Sequence, residues 1–122
     1  MSILLKRVYD APDVRDGYRI LVDRIWPRGI SEENAKVDLW LRDVAPTTEL
    51  REKFGHEESR WPEFRETYTK QLAEHGELLD LVLDIEHHRK VVTLLFAASD
   101  VEHNQAVVLR EVLTHREPHV HH

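Results

Sequence analysis

The residues best suited to chemistry fall in three clusters separated by apolar segments. The first, Asp23-Arg24-Ile25-Trp26-Pro27-Arg28-Gly29, sets a carboxylate, two guanidinium groups and an indole close together, with Pro and Gly constraining the backbone. Guanidinium forks match carboxylate or phosphate oxygens, so Arg24 and Arg28 are candidate clamps for a small anion and Trp26 a candidate wall. The second cluster runs from Asp43 to Thr47, with His56 shortly after it, and these three are candidate ligand contacts. The third holds Ser99, His103 and Asn104 as ligand contacts, together with Asp100. Asp23 and Asp100 are the candidate catalytic acids, because converging carboxylates can be driven apart in pKa and serve as acid and base.

Each of these groups also has a plain structural role. Asp23 can pair with a neighbouring arginine to brace its loop, and the ligand and brace readings stand side by side. Asp100 and Asn104 are both good helix caps. Trp26 and Trp40 are large core or rim residues as well as potential stacking surfaces. Ser99 has no Gly-x-Ser-x-Gly elbow around it, which argues against a serine hydrolase. Nine histidines are present, yet no His-Glu-x-x-His or usual zinc spacing occurs, so no metal ligand is assigned and no cofactor is named.

The elements that must position these groups follow from hydrophobic pattern. Ile3 to Val8 reads as a first strand, Asp10 to Gly17 as a loop, and Tyr18 to Val22 as a central buried strand. Ser31 caps a short helix through Lys36. Residues 37–42 fit both strand alternation and helical spacing; Pro46 soon afterwards favours a strand. Thr47 or Thr48 opens a helix carrying Leu50 and Phe54 and ending at Gly55. Trp61, Phe64, Tyr68 and Leu72 form the stripe of the next helix, and Leu78, Leu81, Val82 and Ile85 that of another. Val91 to Phe96 is a second buried strand, and Asp100 or Asn104 caps the last helix. Strands separated by helices give an α/β fold: one domain over residues 1–116, with a small, mostly parallel sheet covered on both faces by helices. Right-handed crossovers then bring the ends of strands 18–22, 37–42 and 91–96, and with them all three clusters, to one edge. Pro118 ends regular structure, leaving residues 117–122 as an expected flexible, histidine-bearing tail.

The same segments carry a resemblance. The first cluster, Leu39-Trp40-Leu41-Arg42-Asp43-Val44-Ala45-Pro46-Thr47, Phe54-Gly55-His56 and Leu94 to Ala106 are similar to the signature blocks of the YeaO-like bacterial family, a domain of unknown function, over roughly residues 3–114. The resemblance implies a compact α/β fold and names no substrate. A larger related branch carries a late Cys-His-Arg motif; here that position reads His103-Asn104-Gln105, so chemistry requiring that cysteine is not implied.

Composition narrows the remaining choices. Seventeen Lys and Arg against 23 Asp and Glu give a net charge of -6. That balance disfavours non-specific duplex binding, which is driven by phosphate neutralisation, but leaves room for a local arginine pocket. There is no cysteine, hence no disulfide, thiolate metal site or cysteine nucleophile. The longest apolar run, Val91 to Ala98, falls far short of the ~20 residues of a membrane helix, and the N-terminus lacks a signal-peptide layout. A cytoplasmic protein with no membrane partner is expected, with oligomeric state unassigned. The functional expectation is a strand-end pocket for a small phosphate- or nucleotide-like anion, serving a hydrolase or transferase. The alternatives are a non-catalytic sensor or interaction module, and a metal enzyme using histidine and carboxylates.

Overall fold

The structure is a computed structural model and describes residues 2–116; the expected tail at 117–122 lies outside the described residues. Its centre is a four-stranded, fully parallel sheet in the order β1-β4-β2-β3. The strands are β1 (Ser2–Arg7), β2 (Tyr18–Leu21), β3 (Leu39–Trp40) and β4 (Val91–Phe96). Five helices accompany them: α1 (Glu32–Ala35), α2 (Thr48–Phe54), α3 (Trp61–Ala73), α4 (Gly76–Arg89) and α5 (Gln105–His115). This is the expected α/β fold.

Strands β2 and β4 are central and, apart from the buried Arg19 and Thr93, apolar on both faces, as a doubly covered parallel strand requires. Ile20 and Val22, with Val92, Leu94 and Phe96, point into a large core shared with Leu50 and Phe54 of α2, Tyr68 and Leu72 of α3, and Leu109 of α5. Leu21 and Leu95 point the other way, into a small cluster with Val8, Ala35, Trp26 and Trp40. The two faces are therefore unequal. Four helices cover one; the single turn of α1 and the loop after β2 cover the other. Gly17 admits β2 to its place: φ is +64°, and a Cβ there would lie 2.3 Å from the Val91 carbonyl oxygen.

Three expectations are corrected. Residues 37–42 do not form one strand: Leu39 and Trp40 pair with Ile20 and Leu21, after which Arg42–Val44 tightens into a 3₁₀ turn that buries Val44. Gly76, which as a glycine past His75 reads in the sequence as the end of α3, instead opens α4. Within α4 the fully buried residues are Leu79 and Val82, whereas Leu81 is 40% exposed. Leu78, Val82 and Ile85 of the expected stripe do pack on the core; a leucine-rich helix offers several apolar phases, and Leu79 takes the inward place expected of Leu81.

Candidate functional site

Register places the site. Leu21 pairs with Leu95, and the Val22 amide donates to the Leu95 carbonyl at 3.0 Å, so Asp23 and Ala97 leave the sheet at the same level. From there the chains part. The segment after β2 turns to the thinly covered face, and the segment after β4 turns towards α5 on the other. Divergence of adjacent parallel strands at their carboxyl ends opens a crevice. Here it is a cleft of about 480 Å³ whose lining includes Asp23, Arg24, Arg28, Arg51, His56 and Gln105 among polar side chains. Its apolar wall comes from Ala45, Pro46, Phe54, Phe64, Ile25 and Pro27.

Asp23 sits at the floor. Its Oδ2 accepts the Ala97 amide at 3.0 Å, and its Oδ1 accepts a hydrogen bond from the Gln105 side-chain amide. Its own backbone carbonyl accepts the Trp40 indole N–H at 2.7 Å. Burial pushes the Asp23 carboxyl up to about 6, against the pull of the Ala97 and Gln105 hydrogen bonds and the Arg51 charge. No guanidinium hydrogen-bonds it among the described residues. The simple brace of Asp23 by a neighbouring arginine is therefore absent.

Arg24 and Arg28 do different things. Arg24 donates from Nε to the Pro46 carbonyl at 3.2 Å and from Nη2 to the Ala45 carbonyl at 3.0 Å, tying the loop after β2 to the loop before α2. Below it, the buried Tyr68 hydroxyl donates to the Val44 carbonyl at 2.7 Å, and burial holds that phenol well above its ordinary pKa. Arg28 is exposed on the rim. Its carbonyl accepts the Tyr9 hydroxyl at 2.8 Å, which fixes the backbone while the guanidinium makes no hydrogen bond among the described residues. Arg51 and His56 likewise make no side-chain hydrogen bond there, the His56 ring lying against Phe54 at 5.8 Å between centroids.

The other sequence candidates divide plainly. Trp26 lines the cleft, but its indole donates to the Ile30 carbonyl at 2.8 Å and meets Trp40 edge-on at 5.4 Å, so much of it serves the thin face. Asn104 also lines the cleft, with both ends of its amide engaged: Oδ1 caps Val107 and Nδ2 donates to the Asp100 carbonyl. Asp43, Thr47, Ser99, Asp100 and His103 are not among the lining residues. Asp43 is exposed on the 3₁₀ turn, and Ser99 is exposed beyond β4. Thr47 caps α2 by accepting the Leu50 amide, and it takes a hydrogen bond from Gln71. Asp100 accepts the amides of Glu102 and His103, and these bonds, led by Glu102, hold its carboxyl below the ordinary range. His103 rests with Nδ1 3.0 Å from Asp100 and its ring edge-on to Trp61. Asp100 thus caps the turn ahead of α5, Asn104 caps the helix itself, and Asp23 and Asp100 do not share the cleft.

Three polar lining residues escaped the sequence reading: Arg51, Gln105 and Tyr9. Arg51 had a usable signal, one helical turn from Phe54 and flanking the buried Leu50–Phe54 stripe. Gln105 and Tyr9 reach the cleft only through tertiary packing. The helix start that borders the cleft is that of α5, through Asn104 and Gln105; α1, which follows Arg24 and Arg28 in sequence, contributes no lining residue. Among the described residues no three His, Asp or Glu side chains converge as a metal site, and no helix is long and apolar enough to cross a membrane.

Sequence comparison finds bacterial relatives that match over nearly their whole length. The chain is 42% identical over 113 residues to "Uncharacterized protein YeaO" of Escherichia coli (strain K12), covering 93% of this chain and 97% of that one. It is 40% identical over 114 residues to "Uncharacterized protein Rv3073c" of Mycobacterium tuberculosis and to "Uncharacterized protein Mb3100c" of Mycobacterium bovis, covering 93% of this chain and 95% of each. No solved structure matches it. Residues 2–120 match the family described as the inactive DUF488-N3 subclade, and with these relatives the chain belongs to that YeaO-like bacterial family, a domain of unknown function.

Proposed function

We propose that the strand-end cleft binds a small phosphate- or nucleotide-like anion and holds it without turnover, as a ligand sensor or ligand-responsive module in the cytoplasm. The observation that carries this reading is two guanidinium groups, Arg28 and Arg51, on one cleft without hydrogen-bonded partners among the described residues, with the His56 ring beside them. Charge left unneutralised on a concave, partly apolar surface is well placed to meet an anion of opposite charge. A volume near 480 Å³ lies within the range of small-molecule sites. In this reading Arg24 shapes the wall through Ala45 and Pro46, and Arg28 and Arg51 meet the anion.

Binding without turnover is favoured over group transfer by two considerations. The family carries the description inactive, and among the described lining residues there is no serine, threonine, cysteine or lysine to act as nucleophile. One observation favours a second reading, in which the cleft catalyses hydrolysis: a carboxyl raised to about 6 is suited to act as a general base near neutral pH. Phosphorus NMR of the protein with a panel of nucleoside monophosphates and sugar phosphates separates the two. Shifted, unconsumed ligand signals are the expected result. Appearance of inorganic phosphate, abolished by Asp23→Asn, would establish the hydrolytic reading in its place.

A further inference from the structure

The anion-binding reading leaves one group on the cleft unexplained. Asp23 is the only acid among the described lining residues, and it lies at the floor beneath a cationic rim. A carboxylate offers about four acceptor positions. The Ala97 amide and the Gln105 side chain each take one, and both are fixed donors that set the orientation of the carboxyl plane. Asp23 is only half-buried and borders the cleft, so acceptor capacity remains towards the space a ligand fills. A ligand that is anionic throughout would bring like charge against this floor, between apolar walls where screening is weak. A ligand with a nitrogen donor on the arm opposite its anionic group meets both halves of the site.

We infer that the cleft selects bipolar small molecules, with an anionic group held by Arg28 and Arg51 at the rim and an ammonium or other N–H donor held by Asp23 at the floor. This inference rests on the anion-binding reading and adds the second half of the ligand. Gln105 is a positioning residue: its amide turns the Asp23 carboxyl, and it reaches the ligand through that acid. The apolar body of the ligand runs along Phe54, Pro46 and Ile25. Nothing in the arrangement requires a bond to be made or broken.

Matched probes test this on the intact chain. Alkanesulfonates from ethane to butane, and the same compounds with a terminal amino group, are titrated into isotope-labelled protein and followed by amide NMR. Sulfonates keep their charge throughout the working range, so only the amino group differs within each pair. The expected result is that one or more amino compounds bind roughly tenfold more tightly than the plain partner of equal length. That preference is expected to vanish in Asp23→Asn, whose fold is verified by its own amide spectrum. Equal or stronger binding of the plain sulfonates in the wild-type protein overturns the bipolar inference while leaving the anion site standing. A preference that persists in Asp23→Asn overturns the assignment of the donor to Asp23. Failure of every probe, inorganic sulfate included, overturns the anion reading and this inference together.

Discussion

Strand β2 carries an acid near an arginine at each end, and the two ends behave as opposites. At its start, Asp16 takes Lys6 at 3.1 Å, the Asp13 amide at 3.0 Å and a close hydrogen bond from Arg19. Arg19 spends its other donors on the carbonyls of Lys36 at 3.0 Å and Ala35 at 2.8 Å. Burial pushes the Asp16 carboxyl up, but these bonds outweigh it and hold the group below its ordinary pKa. At the far end, Asp23 has two uncharged donors, no hydrogen-bonded cation and a carboxyl raised to about 6. Arg24 beside it is turned to backbone carbonyls, and Arg28 and Arg51 stand around open space without hydrogen-bonded partners among the described residues. The first cluster is closed on itself, Lys6 and Arg19 both engaged on the Asp16 carboxylate; the second is unfinished. The same residue types make a structural brace in one place and a candidate site in the other, and what separates them is whether partners saturate the charge.

The largest expected effect tests the closed end. Asp16→Asn leaves the Arg19 guanidinium buried without its counter-charge and is expected to cost about 3–5 kcal/mol by urea denaturation, without altering the cleft. A loss near zero would show that the carbonyls of Ala35 and Lys36 suffice, and the contrast between the ends would fail.

Next comes Asp23→Asn, for which the two ends predict opposite pH behaviour. Folding lowers the Asp16 pKa, so its contribution is present above the unfolded value of 3.8 and is lost as pH falls through the folded value. Folding raises the Asp23 pKa from 3.8 to about 6, so the native state favours its protonated form. Asp23 therefore supports the fold fully at low pH, loses that support between 3.8 and about 6, and imposes a constant cost above. Asparagine cannot ionise, and its amide can donate to a turned Gln105 while its oxygen accepts from Ala97. The variant is expected to match wild type near pH 4 and to exceed it by up to roughly 3 kcal/mol at neutral pH. Titrations of groups that do not feel the Asp23 charge cancel in the difference. Chemical denaturation across that pH range measures it.

A smaller and more discriminating effect separates the two cleft arginines. Arg24→Ala removes two side-chain-to-carbonyl bonds and is expected to cost about 1–3 kcal/mol, lowering stability and anion binding together. Arg28→Ala removes an exposed group and is expected to change stability by less than about 0.5 kcal/mol while weakening anion binding. Thermal melts of both variants with and without sulfate give the comparison.

How much of this could be read from the chain depended on whether a property was local. β4 and the start of β2 were legible because continuous apolar runs bounded by Gly and turn residues have few alternatives. The Trp61-Phe64-Tyr68-Leu72 stripe and the Thr47 and Gly55 caps of α2 were legible for the same reason. Segment 37–42 satisfied two periods in sequence and realises part of each in space, a two-residue strand followed by a 3₁₀ turn. At the site, Asp23 and Arg28 stood out because they follow a buried strand. The work of Arg24 did not, since its partners are the carbonyls of Ala45 and Pro46, and no side-chain pattern marks a carbonyl. Gln105 and Arg51 were hidden because only the parallel register of β2 and β4, and the packing of α2 and α5 on one face, bring them to Asp23. Asp100 and Asn104 were legible as caps first and as ligand groups second, and their hydrogen bonds place them as caps.

The central claim is the proposed anion site at the open end of β2, carried by Arg28 and Arg51, which have no hydrogen-bonded partner among the described residues. Its most direct test is the sulfate dependence of the melting temperature in wild type and in the double variant Arg28→Ala, Arg51→Ala. The account predicts a melting temperature that climbs and saturates with sulfate in the wild type, and in the double variant only the shallow, unsaturating rise of a general salt effect. Saturating curves that coincide in the two proteins would place the anion elsewhere and contradict it.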